Sequence, residues 1–248
     1  MFRIFNESRM IIVTLLLVSG LIFVQVAECT EEKKELDPKE VVRAFNQMHY
    51  NYKTYMHTTW LGISARQNPC DMWTMQEIIT QVKPDFIIET GTLFGGSSLF
   101  FAMLLEKLNK KGKVITVDIL PRIEEASKWD VFKERVIVIT GDSVSAEVIN
   151  KIAKLVKGHT ALVTLDSMHS KDHVLKELKL YSKFVTVNSY LIVQDTNLNG
   201  HPVFPDHGPG PMEAVLEFMK NNEDFQIDRI RERHLLTYFP KGYLKRVR

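Results

Sequence analysis

Cysteine is almost missing: Cys29 and Cys70 are the two in 248 residues. That excludes a disulfide framework and a cysteine-built zinc site. Net charge is small as well, +2 from 32 basic and 30 acidic residues. No basic stripe marks a nucleic-acid surface, and no acidic tail marks a disordered arm. There is no internal repeat and no low-complexity segment. The pattern Gly-x-Gly-x-x-Gly of dinucleotide sites is absent too, the glycines falling instead at Gly91, Gly95 and Gly96. What remains, 45% hydrophobic and 25% charged, suits one globular domain with a full core.

The first thirty residues differ in kind from the rest. Arg3 and Arg9 precede an apolar run from Met10 to Ala27, and a charged stretch from Glu28 follows. As a helix the run would be about 27 Å long, just short of a bilayer core. It predicts a cleaved signal peptide or an uncleaved anchor over residues 1–30, with membrane contact through 10–27 and a membrane-associated or exported location. The flanking charges, Arg3 and Arg9 against Lys33 and Lys34, leave the orientation open.

Residues 31–37 read as a charged linker. Pro38 predicts a helix start with Asp37 as cap. Residues 49–71 are aromatic and irregular, with Tyr50, Tyr52, Tyr55, His57 and Trp60, and read as a cover over a pocket. A helix is expected over 72–81, ending before Pro84; the whole span 31–84 forms an N-terminal cover segment. From residue 85 to 248 the chain alternates. Strands are expected at 86–90, 113–118, 135–140, 160–165 and 189–194, and helices at 97–109, 122–133, 145–157, 170–183 and 210–221. That alternation predicts an α/β fold with a doubly wound, mostly parallel sheet. Two late apolar runs, 225–227 and 235–238, predict a closing antiparallel hairpin.

The organising stretch is Phe86-Ile87-Ile88-Glu89-Thr90-Gly91-Thr92-Leu93-Phe94-Gly95-Gly96-Ser97-Ser98. It reads as buried strand, glycine turn and helix start, with Ser97 or Ser98 as helix cap. Gly95 and Gly96 are expected to leave backbone N–H groups open to a ligand. Such a turn lies at a strand's carboxyl end, where open α/β sheets bind ligands. Glu89 beside it would repel a pyrophosphate and welcome a cationic or hydroxyl-bearing ligand, such as S-adenosylmethionine (SAM).

Acids recur at the expected strand ends. Asp118 ends the second strand, where an acid bonds ribose hydroxyls. Asp142 and Ser143 follow the third and are expected to hold an adenine edge. Asp166 ends the fourth and Asp195 the fifth. Neighbouring strands lie about 4.8 Å apart, so these two carboxylates would converge. Carboxylates that close need a shared proton or cation, and a hard divalent cation such as Mg²⁺ fits oxygen donors. Gln194, Thr196 or Asn197 offers a further oxygen. His169, three residues past Asp166, stands above the same point as a base for a substrate hydroxyl. The Pro/Gly/His loop over 199–211 reads as a binding lid or a plain connector.

Several segments resemble the cephalosporin hydroxylase / rhamnosyl O-methyltransferase family. They are Glu89-Thr90-Gly91 with Gly95-Gly96-Ser97, Leu165-Asp166-Ser167-Met168-His169, Asp195-Thr196-Asn197-Leu198-Asn199-Gly200-His201-Pro202 and Pro240-Lys241-Gly242-Tyr243-Leu244-Lys245-Arg246. Trp60-Leu61-Gly62 and Pro69-Cys70-Asp71-Met72-Trp73 join them. The resemblance implies a Rossmann-like class I methyltransferase fold that binds SAM, with Mg²⁺ on Asp166 and Asp195. It also implies a departure: the family tends to carry an acid where this chain has Gln194. More distantly similar catechol-type enzymes place a general-base lysine where His169 stands.

The expected function is therefore Mg²⁺-assisted, SAM-dependent O-methyl transfer to a hydroxyl of a sugar or other polar small molecule. Glu89, Gly91, Thr92, Gly95, Gly96 and Ser97 would serve the cofactor, together with Asp118, Asp142 and Ser143. Asp166, Gln194 and Asp195 would hold the metal, and His169 with Asp166 would act in catalysis. The rivals are a nicotinamide-dependent oxidoreductase or hydroxylase on the same fold and a non-catalytic membrane-linked module. A homo-oligomer is a further expectation, and nucleic acid is not.

Overall fold

The computed structural model describes residues 37–108 and 111–248 with their side chains, and the backbone of three strands between residues 2 and 29. The linker expected over 31–37 lies outside the described residues as far as residue 36, as does the last residue of the helix expected over 97–109. The chain divides into two units, 1–41 and 42–248.

In the first unit β1 (Phe2–Asn6), β2 (Arg9–Val18) and β3 (Leu21–Cys29) form an antiparallel sheet in chain order. This corrects the helical reading of the apolar run. Ile11, Ile12, Val13, Val24 and Val26 are β-branched, stiff at χ1 and suited to pleated backbone. Among the described residues no helix is long and apolar enough to cross a membrane.

Next comes α1 (Pro38–Asn51), where Lys39 N donates to Asp37 Oδ1 at 2.9 Å. The aromatic segment holds a two-residue ladder, β4 (Thr59–Trp60) with β5 (Ile63–Ser64). In α2 (Pro69–Val82), Asn68 accepts from Cys70 N at 2.9 Å and Pro69 takes the first turn. Lys83, left-handed at φ 51°, ends that helix before Pro84.

The second unit then alternates as expected: β6 (Phe86–Thr90), α3 (Gly96–Lys107), β7 (Lys113–Asp118), α4 (Asp130–Arg135), β8 (Val136–Thr140), α5 (Ala146–Val156), β9 (Ala161–Leu165), α6 (Lys171–Tyr181), β10 (Tyr190–Val193) and α7 (Pro211–Met219), before β11 (Phe225–Ile227) and β12 (Tyr243–Arg246). The sheet runs β11-β12-β10-β9-β6-β7-β8, parallel from β10 to β8 and antiparallel at β12 and β11. The order reverses between β6 and β9, so a ligand crevice opens at their carboxyl ends.

Alternation along each strand splits the core in two. Ile88, Val163 and Leu191 pack with Ile152 of α5, Leu178 of α6 and Val215 of α7. Ile87, Leu162 and Ile192 pack with Ile78 of α2, Leu99 and Phe101 of α3 and Phe132 of α4. Each such side chain, fully buried, contributes roughly 1.5–3 kcal/mol.

Two further expectations are corrected. The helix read over 122–133 is a 3-10 turn (Ala126–Lys128) and the short α4, separated by extended Trp129. Upstream, Arg122 N donates to Leu93 O at 2.7 Å, which commits that backbone to the glycine loop instead of a helix. The run 235–238 is not a strand; β12 pairs with β11 in its place. Leu235 is left-handed at φ 66°. Buried Asp71 captures the rest, accepting from Thr237 Oγ1 (2.5 Å), Tyr238 N (2.7 Å) and Tyr243 Oη (2.8 Å).

Candidate active site

A cavity of about 730 Å³ opens at the carboxyl ends of β6 to β10. That volume suits a ligand of cofactor size. Its floor includes Gly91, Thr92, Asp118, Asp142, Ser143, Asp166, His169 and Asp195, and its cover includes Tyr50, Tyr55, Arg66 and Tyr238. Ser97 reaches it from the first turn of α3.

Three predicted groups meet at one point. β9 and β10 are parallel neighbours, with Leu165 opposite Val193, so Asp166 and Asp195 leave adjacent strand ends. His169 Nε2 lies 3.3 Å from Asp166 Oδ1 and 3.3 Å from Asp195 Oδ2. Candidate ligand atoms of the three residues all lie within 4.8 Å of one another. Asp195 holds a left-handed φ of 53°, uncommon for a residue with a side chain and frequent at functional sites.

The electrostatics follow from this crowding. Burial pushes the Asp166 carboxyl up to about 6, with His169 pulling it down and Asp195 pushing it up further. Burial would lower the His169 imidazole, but the Asp195 and Asp166 carboxylates more than reverse that and raise it to about 9. His169 is therefore an imidazolium at neutral pH, lying between two carboxylates that would otherwise repel. The same pair are hard oxygen donors, the set that a divalent cation prefers.

Gln67 escaped the sequence reading altogether. This buried amide donates to Asp166 Oδ2 at 3.0 Å and to Gln194 Oε1 at 2.8 Å. Gln194 in turn donates to Thr164 Oγ1 at 2.9 Å. Gln194 is thus spent on holding Gln67 and does not line the cavity, which corrects its expected place among the metal ligands. No local spacing signals Gln67, because its partners lie 99 and 127 residues away.

The glycine loop also departs from expectation. Glu89 is 1% exposed and sits beneath the floor. It accepts from Ser97 Oγ (2.5 Å), Ser98 Oγ and Thr116 Oγ1 (2.7 Å). Burial raises its carboxyl to about 7 against the pull of those hydroxyls. It fastens α3 to the sheet rather than facing a ligand, and the two serines donate to it rather than capping the helix. The N-cap is Gly95, left-handed at φ 79°. Neither Gly95 nor Gly96 lines the cavity: Gly95 N donates to Thr92 O at 2.8 Å, and Gly96 is packed closely, since a Cβ on it would lie 2.4 Å from the Ser64 carbonyl oxygen. Thr92 Oγ1 pairs with Thr116 Oγ1 at 2.7 Å.

At the second and third strand ends, Asp118, Asp142 and Ser143 line the cavity. Asp118 accepts from Leu93 N (2.9 Å) and Leu120 N (2.8 Å), shaping the rim while lining the cavity. Asp142 accepts from Val144 N at 3.0 Å, and Ser143 Oγ lies 3.0 Å from His173 Nε2. The loop at 199–211 is a tied connector. Glu213 gathers Asn199 (3.0 Å), His201 (2.8 Å) and Gly210 N (2.7 Å), and the loop does not line the cavity.

Opposite the floor stand Tyr50, Tyr55 and Tyr238. Tyr50 stacks on Tyr55 with centroids 5.2 Å apart, and Tyr238 meets both edge-on at 5.8 and 6.1 Å. Of the aromatic residues in the segment 49–71, Tyr50 and Tyr55 line this cavity, whereas Tyr52, His57 and Trp60 do not.

Known proteins resemble this chain in sequence and in fold. The family model for rhamnosyl O-methyltransferase/CmcI matches residues 52–247. The rhamnosyl O-methyltransferase of Mycobacterium leprae (strain TN) is 32% identical over 234 residues, covering 92% of this chain and 95% of its own. That of Mycobacterium tuberculosis (strain ATCC 25618 / H37Rv) is 33% identical over 215 residues, covering 83% and 85%. Among solved structures, CmcI with Mg and SAM superposes with a TM-score of 0.59 at 15% identity, covering 88% of each chain. The O-methyltransferase TomG of Streptomyces achromogenes with SAM gives 0.50 at 17%, covering 86% and 92%. The chain belongs to the rhamnosyl O-methyltransferase/CmcI family.

Proposed function

We propose that this chain is a SAM-dependent O-methyltransferase that methylates a hydroxyl of a sugar with the help of Mg²⁺. The observation that carries the reading is the meeting of Asp166, His169 and Asp195 on the floor of a cavity that continues to Asp118, Asp142 and Ser143. Asp118 offers carboxylate oxygens to ribose hydroxyls, and Asp142 with Ser143 faces the base. Asp166 and Asp195 would hold Mg²⁺, which when bound supplies a Lewis-acid centre that makes a hydroxyl more acidic. His169 is placed to hold or take the proton of the acceptor hydroxyl.

A sugar acceptor is supported by the names of the mycobacterial relatives and by the tyrosine wall. Flat aromatic faces with polar tips suit a ring that is apolar on its faces and polar at its edge. The test is transfer from isotopically labelled SAM, with Mg²⁺, to a rhamnosyl glycoside, read by mass spectrometry. A labelled O-methyl sugar supports the reading; no transfer to any sugar hydroxyl from a protein that binds SAM removes it. The apolar run at 10–27 supports a membrane-targeting role, checked by fractionating cells that express the full chain.

A pH dependence follows from the trio. The proton on His169, held by two carboxylates, competes with a divalent cation for the same oxygens. The folded imidazole titrates near 9, so at pH 7 it is protonated and Mg²⁺ must displace that charge. Mg²⁺ affinity is therefore expected to climb as pH rises from 6 toward 9, with release of up to about one proton per ion near pH 7. Calorimetry in buffers of different ionisation heat reads both quantities. Affinity independent of pH, with no proton released, would show that metal and imidazolium do not share a site.

A further inference from the structure

We propose that Arg66 is the binding residue for the α-carboxylate in the methionine half of SAM, an inference that rests on the methyltransferase reading above. The cavity is lined by four carboxylates: Asp118, Asp142, Asp166 and Asp195. SAM carries a sulfonium, an ammonium and one anionic group, its carboxylate. Those four carboxylates would repel it.

Three basic side chains line the cavity: Arg66, His169 and His173. His169 is engaged by Asp166 and Asp195. His173 lies 3.5 Å from Glu177 Oε1 and 3.0 Å from Ser143 Oγ. Arg66 is different. Its guanidinium rests 5.3 Å above the Phe94 ring, itself part of the lining, and it has no carboxylate partner among the described residues. Its backbone is left-handed at φ 51°, and the segment before it is pressed on the start of α3, where Gly96 leaves no room for a Cβ beside Ser64.

Placement of the ligand gives the same answer. The nucleoside end is claimed by Asp118 at the end of β7 and by Asp142 after β8. The methyl group must face the trio after β9 and β10. The methionine end is then left with the β6–α3 loop and the cover segment at 64–66, where Arg66 supplies the permanent positive charge. A guanidinium matches a carboxylate with two parallel hydrogen bonds.

The experiment pairs a deletion on the protein with a deletion on the ligand. Calorimetry measures SAM and decarboxylated SAM against the full chain and its Arg66→Gln and Arg66→Lys variants. Loss of one charge-assisted contact predicts that Arg66→Gln weakens SAM by about 10- to 100-fold and decarboxylated SAM by less than about two-fold. The preference of the unaltered protein for SAM over its decarboxylated form should vanish in Arg66→Gln and persist in part in Arg66→Lys. Arg66 is exposed, so an unchanged thermal midpoint verifies the fold. Equal weakening of both ligands, or no weakening of SAM, overturns the assignment while the methyltransferase reading stands. An unaltered protein that binds neither ligand overturns both.

Discussion

Asp166→Asn is expected to lower methyl transfer by about a thousand-fold or more, with SAM affinity held within about two-fold. The substitution is nearly isosteric and removes one formal charge. Asp166 Oδ2 accepts from Gln67 at 3.0 Å, and an asparagine carbonyl can keep that bond, so stability should change by no more than about 1 kcal/mol. What is lost is specific to the trio. Only Asp195 would remain as a full carboxylate for the cation, and the His169 imidazole would lose one of the two charges that raise its proton affinity. The cofactor contacts proposed at Asp118, Asp142 and Arg66 lie on other elements. Steady-state transfer with calorimetric SAM titration separates the two effects. Full activity in Asp166→Asn, combined with indifference to a chelator, would remove the metal from this account.

The parallel strands were legible because each is built on a short, mostly apolar run, the mark of a sheet covered on both faces. Ala161–Leu165 is buried along its whole length, and the expected bounds differ from the observed ones by a residue. The trio was legible for a related reason. Strand-end position and the adjacency of β9 and β10 suffice to bring Asp166 and Asp195 together, and the short step to His169 does the rest.

What was not legible depended on partners distant in sequence or on which face a side chain takes. Glu89 stands at a strand end, but alternation places it with Ile87 on the α3 side, under Ser97 and Ser98. The rule for strand ends gives an edge and not a face. Thr237 and Tyr238 carry a strand-like pattern, yet a buried carboxylate 166 and 167 residues upstream claims their hydrogen bonds. The β-branched N-terminal run was read by its hydrophobicity and length, whereas its backbone follows its β-propensity.

Gly91→Ala should cost the fold several kcal/mol and lower the thermal midpoint by about 10 °C in a chain of this size. Two penalties act at this position. Its φ of +89° disfavours any side chain, and a Cβ would lie 1.9 Å from the Asp166 carbonyl oxygen. The second is the larger, because it sets backbone against backbone. Gly91 N is also anchored to Val117 O at 2.8 Å, so the turn cannot move aside without breaking the β6–β7 side of the crevice. Relief must come from displacing the end of β9, which carries Asp166. The folded fraction of Gly91→Ala is therefore expected to lose methyl transfer as well as stability. Gly158→Ala isolates the first penalty: its φ is +79° and nothing lies within 4 Å of the added carbon. That control should cost about 1 kcal/mol and leave transfer intact. Denaturant titration of both variants decides the matter, and equal losses in the two would mean that the close approach of Gly91 to Asp166 plays no part in holding the site.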